Sequence, residues 1–186
     1  MAQFNPFTDR LSRDIRNTLS HTISEVLASG SLAAAEQAAS PFIHGDLAPH
    51  YRRYIQHRLK CYRQAADTLA GSQASVVRQA VVLWDLGCYF EVHEVLETAW
   101  MTATGDEKRL LQALIRAAGV YINLELGYRQ RAAKIGAKAI PVLTAQHKHL
   151  APLMNIDELI GALKSLSEQP PRLRLSEPDE TGSPQR

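Results

Sequence analysis

LWDLGCYFEVHEVLETAW, residues 83–100, is the stretch that decides the fold. Gly87 divides it, and the second half reads as one helix from about Tyr89 to Met101. At ~100° per residue, Phe90, His93, Glu94, Glu97, Trp100 and Met101 fall within one stripe about 120° wide. Tyr89 and Leu96 flank that stripe. On an amphipathic helix the charged residues normally lie opposite the apolar face. Here His93, Glu94 and Glu97 lie inside it, and a carboxylate in apolar surroundings must be paired, hydrogen-bonded, protonated or metal-bound. The spacing therefore predicts that Glu94 and Glu97 are both substantially buried.

Two chemistries suit this face. His93 and Glu97 stand at i and i+4 and can point at one ion. Glu94 is then placed as the general base that a zincin-type helix carries beside its ligands. A carboxylate ligand admits Mn or Mg as well as Zn. Two ligands do not hold a metal, and the other donors the sequence offers are Glu91, Gln112, Asn123, His147 and His149. Glu91 lies about 120° around the helix from Glu97, which makes it a poor partner. The other chemistry is a closed polar network. Gln112, Arg116, Gly119 and Asn123 form a narrow polar stripe on the next helix, so Arg116 can neutralise Glu94 or Glu97 while Gln112 and Asn123 satisfy the remaining oxygens. In that reading no resident cofactor is expected. A metal-free ligand pocket is a third arrangement of the same residues.

Gly87, Tyr89, Phe90, Glu91, His93, Glu94, Glu97 and Trp100, followed by Leu111, Gln112, Leu114, Ile115, Tyr121 and Gly127, carry a resemblance over about residues 83–143. The chain resembles the all-helical family called domain of unknown function 309, whose members are often labelled predicted metal-dependent hydrolases. The resemblance implies an all-α fold and, from the label, a divalent metal (Zn or Mn) on His93 and Glu97 with Glu94 activating water. Three positions depart from the family pattern. Arg116 stands in place of a Gln, Asn123 in place of a His that would be the natural third ligand, and Tyr128 in place of an Asn.

Outward from this core the chain reads as further helices. Leu11, Ile15, Leu19, Ile23, Val26 and Leu27 predict one amphipathic helix over residues 8–29, stopped by Gly30. An Ala-rich helix should end before Pro41. Leu47 to Leu69 forms a third, closed by Gly71, and residues 73–85 a fourth. Beyond the motif, helices are expected over 107–126, over 130–149 with a kink or split at Pro141, and from about Asn155 to Glu168. No segment alternates as a strand does. The expected architecture is all-α, a compact array of about seven antiparallel helices with short loops. Residues 1–72 read as a helical extension packed on a core of residues 73–168. Residues 169–186, rich in Pro and poor in large apolar side chains, should be disordered, so a chain ending at Glu168 should fold as stably as the whole.

Composition narrows function by exclusion. In 186 residues with a formal net charge of +2, bulk electrostatics name no partner. No apolar run is long enough to cross a membrane, and the N-terminus lacks the apolar region of a secretory signal. Arg10, Arg13 and Arg16 suit a transit peptide, but Asp9, Asp14 and Glu25 do not. Cys61 and Cys88 lack metal-pair spacing and are read as reduced thiols of a cytoplasmic protein. The segment around Arg52, Arg53, Arg58, Lys60 and Arg63, interleaved with Tyr51, Tyr54 and Tyr62, is the one candidate for nucleic acid, against the plainer reading of a solvated helix face. A homo-oligomer is left open. The sequence is best read as a structural, partner-binding or ligand-binding helical domain, with metal-dependent hydrolysis as the alternative.

Overall fold

The structure, a computed structural model, describes residues 3–43 and 46–175. Among these residues the chain is all-α: α1 (Arg10–Ser20), α2 (Ile23–Ser29), α3 (Ala33–Ile43), α4 (Pro49–Leu69), α5 (Val76–Asp85), α6 (Tyr89–Thr102), α7 (Gly105–Leu124), α8 (Arg129–Ala145), α9 (His147–Leu150) and α10 (Ile156–Ser165). The helices from α5 to α8 run side by side, with α6 on α7 and α7 on α8 forming the broadest contacts. The connections are tight. Gly87 takes φ 70° between α5 and α6, and Gly127 takes φ 78° between α7 and α8, a region costly for any residue with a Cβ.

Ten helices stand among the described residues against about seven expected, and two of the long expected ones are broken. The helix expected over residues 8–29 stops at Ser20 and restarts at Ile23. The Ser20 hydroxyl donates to the Asn17 carbonyl (3.1 Å) and the Thr22 hydroxyl to the Leu19 carbonyl (2.7 Å), so side chains share these acceptors with the backbone at the break. The second break falls at Gln146 and not at Pro141, which is carried inside α8; Pro41 likewise sits inside α3.

The core is continuous from α1 to α10, and residues 10–69 contribute Ile15, Leu19, Ile23, Ile55 and Tyr62 to it. The phase of α6 differs from the expected one. Tyr89, Val92, Val95 and Leu96 are buried together with Glu91, while Met101 is 71% exposed. The large side chains Phe90, Trp100 and Met101 marked the wrong stripe. The slim face of Val and Leu is the one that fits between α5 and α7.

The segment expected to be free beyond Glu168 is docked as far as residue 175. The Asp85 carboxylate, 2% exposed, accepts from the backbone of Leu173 (2.7 Å) and Arg174 (3.1 Å) and from the Arg174 side chain (3.1 Å). Asn155 donates to the Arg172 and Arg174 carbonyls, and Trp84 Nε1 donates to the Pro171 carbonyl (2.9 Å). Leu173 is 2% exposed. One apolar side chain and a buried carboxylate offset the ordering entropy that composition alone suggested would win. The rest of the expected disordered tail, residues 176–186, lies outside the described residues.

Candidate functional site

On the outer face of α6, His93 Nδ1 lies 3.7 Å from Glu94 Oε1 and 3.7 Å from Glu97 Oε2. Each distance is too long for a hydrogen bond. His93 Nδ1 is nevertheless inaccessible to solvent and has no hydrogen-bond partner. One donor atom from each of the three residues lies within 4.8 Å of the others. Ligands about 2.0–2.1 Å from a tetrahedral ion stand roughly 3.4 Å apart, so small side-chain movements would close this set around a cation. A further imidazole comes from the break between α1 and α2, where His21 Nε2 lies 3.7 Å from the other Glu94 oxygen, Oε2, outside the set of three. His21 was passed over in the sequence because it fell in the middle of one expected helix. Only the poor helix-forming trio Ser20–His21–Thr22 hinted at a corner there.

The burial expected of both carboxylates holds for Glu94 and is corrected for Glu97. The Glu94 side chain is 20% exposed, but that of Glu97 is 49% exposed, because the face they share rims the molecule. The fully buried carboxylate is Glu91, the one set aside on geometric grounds. Its counter-charge comes from α4: Arg58 Nε lies 3.6 Å from Glu91 Oε1, which also accepts from the Tyr62 hydroxyl at 2.8 Å. The Arg58 hydrogen bonds go instead from Nη1 to the Gly87 carbonyl (3.0 Å) and to Cys88 Sγ (3.2 Å). Burial is the largest single influence on Arg58 and works to lower its pKa, but its surroundings, Glu91 foremost with Tyr54 and Cys88, together hold the guanidinium well above its ordinary value. The neighbouring Cys88 thiol lowers that of Cys61 to about 7, while Cys61 and burial raise that of Cys88.

The polar stripe of α7 does not join either group. Arg116 reaches the Lys138 carbonyl of α8 (3.5 Å), and Asn123 donates to Gly119 of its own helix (2.7 Å). Gln112 is half-buried on the same helix and meets neither carboxylate. Arg116 thus makes no ion pair among the described residues. The rotated phase of α6 explains this, since the face turned toward α7 carries Val and Leu instead of Glu94 and Glu97. The tyrosines of α4 are held in different ways. Tyr62 is buried, Tyr54 is stacked on Phe4 at 3.6 Å, and Tyr51 donates to Asp9.

Between α1, α4, α6 and the end of α7 lies a cavity of about 530 Å³. Arg16 and Arg58 line it, with Tyr54, Phe90, Ile122 and Glu125. Phe90 joins it to the His93 group, since its ring lies parallel to the His93 ring at 6.0 Å and under the Arg16 guanidinium at 3.8 Å.

This is therefore an all-helical domain with an outer His/Glu group, a buried Arg–Glu pair and a cavity between them. Residues 77–135, less than half of the chain, match the model of the family described as Domain of unknown function (DUF309). No curated protein and no solved structure matches the chain. The matched residues hold nearly all of α5, the whole of α6 and α7 and the start of α8, whereas Arg58, Tyr62, Arg16 and His21 lie outside them. No helix among the described residues is long and apolar enough to cross a membrane.

Proposed function

We propose that this chain is a divalent-metal-binding helical domain, with His93, Glu94 and Glu97 as ligands and His21 as the fourth donor. The observation that carries this reading is the His93 Nδ1 atom, buried without a hydrogen bond and equally distant from two carboxylates. A neutral imidazole and carboxylates suit Zn or Mn. Arg116, the fixed charge that would have competed with a cation, is directed at α8. Glu94 serves here as a ligand and leaves the role of general base to another group.

Hydrolysis, which the family resemblance implies, is the second reading, favoured by the cavity that adjoins the group through Phe90. A bound metal would supply Lewis acidity and a water of lowered pKa. The chain's own part would be to hold the ion and to shape the cavity.

The test is metal content by mass spectrometry in protein purified without a His-tag, followed by titration of the chelator-treated protein with Zn and Mn. Near-stoichiometric binding, lost in His93→Ala and Glu97→Gln and weakened in His21→Ala, is expected. Absence of binding in the folded wild type would refute the assignment.

A further inference from the structure

The cavity between α1, α4, α6 and α7 has a composition of its own. Its walls are largely apolar and aromatic, with Tyr54, Phe90 and Ile122 among them, and its volume of about 530 Å³ is that of a small-molecule site. Two guanidinium groups reach into it. Arg58 is 8% exposed, and its Nε makes no hydrogen bond although the side chain lines the cavity. Its charge is already matched by Glu91 at 3.6 Å. Arg16 makes no ion pair among the described residues, although Glu91 and Glu94 lie near enough to favour its charge. It lies over Phe90, 3.8 Å from the ring centre, and donates to the Asn17 amide oxygen. Burial makes that charge less comfortable, lowering its pKa. Glu125 is the acid in the lining, and its carboxyl is pushed up to about 7: desolvation and Glu91 raise it while Arg58 pulls it down. The cavity thus offers one guanidinium without an ion pair among the described residues, Arg16, set above an aromatic floor.

We infer that this cavity binds a small apolar monocarboxylate, its carboxylate on Arg16 and its body against Phe90, Tyr54 and Ile122. A guanidinium pairs a planar carboxylate through two parallel hydrogen bonds, and its fixing on Phe90 orients it in advance. The apolar walls take the rest of the molecule by burial. This assignment does not rest on the metal reading.

The test is calorimetry on the full chain after chelator treatment, with decanoate and 2-naphthoate as probes and decanol and decylamine as their neutral and cationic counterparts. The carboxylates should bind one to one, and the alcohol and amine should not. Arg16→Gln should weaken carboxylate binding about tenfold or more, the worth of a charge-assisted hydrogen bond, and Arg16→Lys should recover part of it. Ile122→Trp should abolish binding by filling the cavity, with unchanged circular dichroism. His93→Ala should bind the carboxylates as wild type does, which separates this site from the metal centre. The inference is overturned if neither carboxylate binds, if decanol or decylamine binds as well as decanoate, or if folded Arg16→Gln retains wild-type affinity.

Discussion

Glu91 teaches most at the scale of single residues. Its neighbours in sequence, His93 and Glu94, carry the motif, yet Glu91 is the carboxylate with no solvent contact. Helix geometry correctly placed it away from Glu97. The motif alone could not reveal that the face it shares with Val92 and Val95 is the buried one. Its partner Arg58 was legible only as one basic residue among several on α4. A buried pair broken on one side leaves an uncompensated charge, so Arg58→Ala should cost on the order of 3–5 kcal/mol. The double change Arg58→Met with Glu91→Leu should recover most of it, because apolar side chains of similar size fill the same space without a charge. Arg116→Ala, at a residue with one long contact to a carbonyl, should stay within about 0.5 kcal/mol. Urea unfolding of the three variants checks all of this together, and an Arg116 variant as damaging as the Arg58 variant would contradict the placement of the charges.

For the elements, the periodicity of the sequence located nearly every helix, and its glycines located the corners at Gly30, Gly87 and Gly127. What it missed depends on single hydroxyls and single long-range bonds. Ser20 and Thr22 break α1 from α2 with hydrogen bonds that no hydrophobic period records. The docked segment after Glu168 is the larger miss, because Leu173 is one apolar residue in a proline-rich, charged stretch, and the carboxylate it meets is 88 residues away. A chain ending at Glu168 should therefore melt several degrees below one ending at residue 175. Removing the segment uncovers Trp84 and leaves the Asp85 carboxylate without its donors. Asp85→Asn in the longer chain should give part of the same loss, since an amide oxygen still accepts one backbone N–H but carries no charge. Differential scanning calorimetry of the three proteins decides it. Equal melting temperatures would mean the segment contributes nothing to stability.

Across the whole molecule, the matched family segment and the residues before it are interdependent. The segment from 77 to 135 contains Glu91 but neither Arg58 nor Tyr62. It contains His93, Glu94 and Glu97 but not His21, and Phe90 but not Arg16. The candidate site was thus half legible: the ligands spaced along α6 could be read, and the groups that approach them from α1 and α4 could not. Expressed alone, residues 73–175 should show helical circular dichroism without a cooperative melt, because Glu91 would be stranded in an apolar wall. Adding residues 3–72 as a separate polypeptide should restore the transition if the two pieces associate. A sharp unassisted transition for 73–175 would show that the first four helices are dispensable. The clamp at Asp85 also fixes how the molecule meets force. Tension applied beyond residue 175 would reach the bonds of Arg174, Leu173 and Pro171 in turn, peeling them one by one from the end of α5. The clamp would open at low force like a fuse, and the pull would reach α10 and α8 before it disturbed α6 and the groups it carries.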